Sequence, residues 1–380
     1  MDAERDAFAS PYAHLLRMTD SVGLAEHCEG TRPRWELGYC VDDVSRALIV
    51  IARDPRPDAD AQVLAERYLE FLLEAVSEDG RIHNRRALRG GWTDVPALGD
   101  WWGRCLWALG TVVARDRDPT GRALTAFDLG ARCRSPHPRA MAYAGLGAAE
   151  VLSRHAGHES ARRLLADAAR AVDPGVDPAV DPAVDPGVDP AVDSGVETRP
   201  GGDLWPWPEP RLRYANAVLP EVLVAAAVAL GDMTWRDRGL ALLDWLFATE
   251  TVEDGGGGHL SVTPVGGWSP GEPRPGFDQQ PIEVAALAEA AARAWSLTGE
   301  RRWRDAVLLC EDWFDGRNDQ RVTLADPASG GGCDAVTRQG RNENQGAEST
   351  LALLAVRQLA RVVGGRPGRR MAPELDGVAR

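Results

Sequence analysis

"GYCVDDVSRALIVIAR", residues Gly38–Arg53, leads two adjacent carboxylates, Asp42 and Asp43, into a stretch that is apolar on nearly every side. A helix of that kind is buried in a large protein or crosses a membrane. Ser45, Arg46 and Arg53 interrupt this one, and it falls short of the roughly 20 apolar residues a bilayer requires, so burial is the consistent reading. Loop, polar turn and apolar helix then recur along the chain. Segments 99–115, 137–152, 214–230, 278–295 and 342–363 repeat the pattern. Between them lie amphipathic helices at 61–76, 120–134, 158–172, 233–249 and 301–314, and another helix-like segment at 4–18 opens the chain.

Six apolar helices alternating with six amphipathic ones, with weak strand signals, predict an all-α fold of two concentric rings, an (α/α)6 barrel. A helical solenoid would need more uniform repeats and polar capping units. The expectation is a single domain over 1–380, interrupted at 173–203. There, residues 173–196 read DPGVDPAVDPAVDPGVDPAVDSGV, a four-residue repeat whose prolines exclude helix and interior strand.

Composition narrows the chemistry. The net charge of −14 argues against a nucleic-acid partner or an anionic membrane surface. All 43 basic residues are Arg, which excludes Schiff-base, P-loop and kinase-type lysine chemistry. The six cysteines have no CxxC or zinc-type spacing and read as reduced, mostly buried thiols. No HxxxH or HExxH spacing suggests a metal, so neither metal nor cofactor is expected. No N-terminal apolar leader and no long apolar run is present, and a soluble, cytoplasmic protein without membrane insertion is expected.

Connections out of the apolar helices are short, whereas most of those entering them run to roughly twenty to forty residues, and functional side chains gather on such loops. In a two-ring barrel all of these long loops share one end, which makes that mouth the expected site. Four of the six entrances carry acids: Asp42 and Asp43, Asp100, Asp278 with Glu283, and Glu343 with Glu348. The same loops bring His83, Trp205, Trp207, Tyr214, Asn216, Gln279, Asn342 and Gln345. Side-chain amides and carboxylates fork onto hydroxyls, and indole faces cover pyranose rings, so this set suits an oligosaccharide or glycoconjugate. Each member also has a plainer explanation. An Asp or Asn at a helix start caps free N–H groups, and most tryptophans fill cores; Trp107, Trp245, Trp295 and Trp313 are read that way. Asp42 and Asp43 point about 100° apart around a helix, which leaves Asp43 for the cavity and Asp42 for the cap.

The segments "HLLRMTDSVGLAEHCEG", "GYCVDDVSRAL", "GRIHN", "GRCLWALG", "WPWPEPRLRYANAVLPEVL", "FDQQPIEVAALAEA" and "NQGAESTLALLA" resemble the six-hairpin glycosidase superfamily. More narrowly, the chain is similar to bacterial domains described as glycosyl hydrolase-like or glycosyltransferase, some fused to a glycosyltransferase module. The resemblance implies an (α/α)6 barrel, carbohydrate chemistry and a functional link to a glycosyltransferase. Where that pattern would place an acidic stretch before "GRCLWALG", this chain retains Asp100 alone, so Asp100 ranks behind the other candidates. The expected function is glycoside hydrolysis by two carboxylates drawn from Asp43, Asp278, Glu348 and Asp100. His83, Trp205, Trp207, Tyr214, Asn216, Gln279, Asn342 and Gln345 are expected to bind the sugar. A sugar epimerase or isomerase on the same barrel would rely on His83 and His259 as bases. A terpene-cyclase-like toroid would need a more aromatic cavity, and a glycan-binding domain would bind without turnover.

Overall fold

The computed structural model describes residues 10–173, 205–253, 255 and 258–365. The Asp-Pro repeat and the first part of the segment 4–18 lie outside the described residues. Twelve α-helices follow in chain order: α1 (Ala13–Met18), α2 (Val41–Arg53), α3 (Ala59–Ala75), α4 (Asp100–Ala114), α5 (Arg122–Gly130) and α6 (Pro138–Arg154) form the first half. The second half is α7 (Glu159–Val172), α8 (Val218–Leu230), α9 (Met233–Glu250), α10 (Pro281–Thr298), α11 (Arg301–Phe314) and α12 (Ala347–Gly364). The even-numbered helices pack each against the next, and α12 returns to α2, which closes an inner ring. The odd-numbered helices lie outside it, α7 spanning α6 and α8, and α11 spanning α10 and α12. This is the (α/α)6 barrel.

The division follows from the apolar faces. In α2, Val41, Val44, Ala47, Leu48, Ile49, Val50 and Ile51 are all buried, because this helix meets neighbours on every side. In α7 the buried residues form a single stripe, Ala161, Leu164, Leu165, Ala168, Ala169 and Val172, as expected of an outer helix. Small residues bring α4 and α6 together. A Cβ on Gly110 would lie 2.2 Å from the Gly147 carbonyl oxygen, and one on Gly103 would lie 2.2 Å from that of Ala140.

Inner-helix C-termini run into the outer helices through short turns, so one end of the barrel is closed. The opposite end carries the long loops and all eight short strands, paired as four antiparallel hairpins: β1 (Cys28–Glu29) with β2 (Arg32–Pro33), β3 (Tyr39–Cys40) with β4 (Arg85–Arg86), β5 (Thr251–Val252) with β6 (His259–Leu260), and β7 (Ala335–Thr337) with β8 (Gly340–Asn342). Strands of two or three residues fit the weak strand signals of the sequence. Several inner helices start later than expected. Gly38 has φ +75°, and a Cβ there would strike the Arg86 carbonyl oxygen at 2.4 Å, so Gly38–Cys40 enter as a turn and strand and the helix begins at Val41. The six cysteines are free, and all but Cys133 are buried. No helix among the described residues is long and apolar enough to cross a membrane.

Candidate active site

None of the six inner helices has a side-chain hydrogen bond capping its N-terminus, whereas Asp58 and Asp232 cap the outer helices α3 and α9. Asp42, Asp43, Asp100, Glu283 and Glu348 are engaged elsewhere. This corrects the capping role expected of Asp42: Cys40 is the N-cap residue of α2, and the Val41 N–H donates to the Asn84 carbonyl. Asp42 instead accepts from Arg104 of α4 and pairs with Arg46 one turn along at 3.0 Å. Arg46 also pairs with Asp43 at 2.5 Å and with Glu348 of α12 at 2.8 Å. Arg104, almost fully buried, donates to the Tyr143 hydroxyl of α6 and lies 4.1 Å from that ring's centroid. Four inner helices thus meet at two arginines.

Environment divides the two neighbouring aspartates. Burial drives the Asp43 carboxyl up to about 7; Arg46 opposes this, and the charges of Glu348, Asp42 and Glu26 reinforce it. For Asp42, burial also acts upward, but Arg104 and Arg46 outweigh it and hold the group below the ordinary carboxylate range. Asp43 therefore keeps its proton up to about pH 7 while its sequence neighbour is ionised, which is how acid and base roles are separated in one site. Glu26, Cys40 and Asp43 are the one group among the described residues whose donor atoms gather closely enough for a metal, all within 4.8 Å. Arg85 on Glu26 and Arg46 on Asp43 already balance its carboxylates, and burial raises the Cys40 thiol well above its ordinary value.

Across the rim, Asp100 at the start of α4 accepts from the Tyr214 hydroxyl. Tyr214 stands in the turn Arg213–Asn216 before α8, and Arg139 and Glu283 hold that turn. Beneath Arg46 and Arg104, a cavity of about 60 Å³ passes between Trp107, Ile282 and Leu351 towards Glu221 and Glu289.

The structure brings Asp43 and Glu348 together on Arg46 and places Asp100 and Tyr214 in contact. Asp278 is exposed on the loop before α10, where its carbonyl accepts from the Val265 N–H. His83 has Nδ1 on Asp94 and stacks on Trp92, which leans on Phe71 of the outer helix α3. Trp205 is half-buried among Trp245 and Trp268. Four expected sugar ligands are instead internal. Trp207, 4% exposed, stacks on Trp245. Asn216 is fully buried between Arg139, Arg213 and Glu283. Gln279, also fully buried, donates to Ser261, Gly276 and Asp319. Gln345 joins Ser329 to Asp326. Asn342 accepts from the Asn344 N–H within its own turn. The physical reason is common to these amides: irregular loops crossing a barrel end carry unpaired backbone and side-chain polar groups, and buried amides satisfy them.

Arg46, Arg104, Tyr143 and Arg139 are the site residues outside the expected set. The visible signal was an arginine inside an otherwise apolar helix, since such a charge is retained only beside a partner.

No family model matches the sequence, and neither does any curated protein. Solved structures do. A sugar epimerase from a ruminal bacterium superposes with a TM-score of 0.64 at 12% identity, over 94% of this chain and 97% of the other. A D-mannose isomerase matches with 0.64 at 10% identity, over 95% and 98%. An α-1,6-mannanase of Salegentibacter sp. HEL1_6, inactivated at two consecutive aspartates and bound to α-1,6-mannotetrose, matches with 0.60 at 10% identity, over 93% and 97%. These likenesses concern the fold, and on it they agree: the chain is built as an (α/α)6 barrel.

Proposed function

We propose that this protein is a carbohydrate-active enzyme that hydrolyses a glycosidic bond at the open end of the barrel. The observation that carries the reading is the gathering of Asp42, Asp43 and Glu348 on Arg46, with Asp43 raised to about 7 by burial and Asp42 held low by two arginines. Asp43, protonated near pH 7, is the group suited to protonate the leaving oxygen. Glu348 shares Arg46 and is the more exposed carboxylate, suited to activate water or attack the anomeric carbon. Asp42 keeps both arginines in place, and Asp100 with Tyr214 offers a sugar an acceptor and a hydroxyl. The mannanase neighbour, inactivated at consecutive aspartates, lends support by chemistry rather than by residue correspondence.

The epimerase and isomerase neighbours support a second reading, proton transfer at a sugar carbon. Its expected bases fit less well here, because His83 and His259 are each tied to an aspartate, Asp94 and Asp319, away from the arginine cluster. An oligosaccharide panel separates the readings: hydrolysis releases new reducing ends, and epimerisation changes the sugar without releasing any. Under the hydrolase reading, Asp43→Asn and Glu348→Gln each lower the release of reducing ends by roughly 10²–10⁴-fold. The rate also falls above about pH 7 as Asp43 loses its proton. Full activity in both variants excludes the proposed carboxyl pair, and binding without turnover by the wild type leaves a glycan-binding domain.

A further inference from the structure

The turn Arg213–Asn216 is held in a conformation its sequence does not favour. Ala215 has φ +46°, in the left-handed region that a residue with a Cβ rarely adopts and that needs compensation from its surroundings. Two buried polar side chains supply it. From α10, one Glu283 oxygen accepts from the Ala215 N–H at 2.5 Å; the other accepts from the Asn216 N–H and side-chain amide, both at 3.3 Å. From α6, Arg139 donates to the Tyr214 carbonyl and to Asn216 Oδ1 at 3.0 Å, while Glu209 fixes the remaining side of its guanidinium. The same guanidinium lies 5.2 Å from the centroid of the Tyr214 ring. Tyr214 itself is 41% exposed, yet its hydroxyl donates to Asp100 on α4. An exposed phenol would sample several rotamers, and here its backbone is clamped from two helices while a third receives its proton.

We infer that Glu283 and Arg139 are positioning residues that set the Tyr214–Asp100 pair at the barrel mouth through this clamped turn. The inference rests on the hydrolase reading only for what Asp100 meets there, a sugar. Neither positioning residue is open to the mouth, since both are buried. The ordered phenol orients the Asp100 carboxylate, so that the substrate meets one preset acceptor instead of a rotating one, and binding needs less ordering.

The test uses the whole protein labelled with [13Cζ]-tyrosine, whose five resonances report phenol hydrogen bonding without any substrate. Tyr214→Phe identifies the Tyr214 signal, and Asp100→Asn gives its position when the carboxylate acceptor is lost. Glu283→Ala removes the acceptors of the Ala215 and Asn216 N–H groups, and is expected to move the Tyr214 signal towards its Asp100→Asn position. The Tyr12, Tyr39 and Tyr68 signals should stay in place. Arg139→Lys keeps the positive charge beside Glu209 but cannot bond Tyr214, Asn216 and both Glu209 oxygens at once. It should move the signal the same way, and it carries the test if the first variant does not fold. Adding Ala215→Gly, which removes the cost of the positive φ, should return part of the shift. A Tyr214 signal unmoved in the folded variants overturns the inference, as does a shift that Ala215→Gly leaves untouched. Failure of the hydrolase reading would leave these spectra unchanged, so the two are distinguishable.

Discussion

Replacing Asp42 by asparagine removes the carboxylate paired with Arg104, whose side chain is only 3% exposed. An uncompensated buried guanidinium costs about 3 kcal/mol or more. Asp43→Asn at pH 6 is a different change, because Asp43 titrates near 7 and asparagine is nearly isosteric with its neutral form. We expect Asp42→Asn to lower the unfolding free energy by about 3 kcal/mol and Asp43→Asn by less than about 1 kcal/mol, in urea titrations at pH 6. Equal losses would show that both carboxyls are ionised there. That difference between neighbours could not be read from the sequence. Their spacing predicted two directions around a helix, but which one met a buried arginine depended on α4, sixty residues along the chain. The amides misled for a related reason: a buried Asn216 or Gln345 that satisfies a loop has the same residue type and loop position as one that holds a sugar.

At the scale of elements the sequence was far more legible, because burial leaves a periodic record. The outer helix α7 shows its single stripe, and the inner helix α2 shows apolar residues all round. Start positions were less legible, since the polar residues before α8, α10 and α12 extend the apparent pattern into the mouth loops. The periodicity does not mark where two inner helices touch backbone to backbone. Gly110 of α4 faces Gly147 of α6, and an added methyl would lie 2.2 Å from a carbonyl oxygen that belongs to a helix and cannot turn aside. Gly110→Ala should gain helix propensity of up to about 1 kcal/mol, yet the forced separation of α4 and α6 outweighs it. We expect a net loss of roughly 1–3 kcal/mol in chemical denaturation. Gly157, with nothing within 4 Å of its Cβ position, is the control, and Gly157→Ala should be close to neutral.

For the whole molecule, closing six helices into a ring leaves an axis that apolar side chains do not fill completely, and buried acids occupy it and the loops above. Burial raises Asp43, Glu221 and Glu250 each to about 7 and Glu283 to about 8; beside Glu283, the charge of Glu250 acts in the same direction. Arg53 bridges Glu150 and Glu289 at 3.3 Å each near the closed end, and Arg293 pairs with Glu221 at 3.0 Å, so the inner ring is held by charge as well as packing. The pH dependence of stability follows from the raised groups. Between the unfolded carboxyl range near 4 and the folded values near 7–8, the native state binds more protons than the unfolded chain. Their contribution is complete below about pH 4 and is lost as the pH rises through 7–8. Asp42 and Glu150, held below their ordinary values, act in the opposite sense but only at more acidic pH. His14, lowered chiefly by burial, opposes the trend just below its ordinary value of 6.5, as one group against four. Urea midpoints measured at constant ionic strength should therefore fall from pH 5.5 to pH 8.5, by an amount equivalent to several kcal/mol, at about 1.4 kcal/mol per proton and pH unit. Glu221→Gln, which removes one of these titrations at a carboxyl bonded to Arg293 rather than to Arg46, should flatten the slope without moving the pH limit near 7 that the proposed mechanism assigns to Asp43. A slope unchanged in Glu221→Gln would place the titrating proton elsewhere in the barrel, and a catalytic limit that moves with it would break the assignment to Asp43.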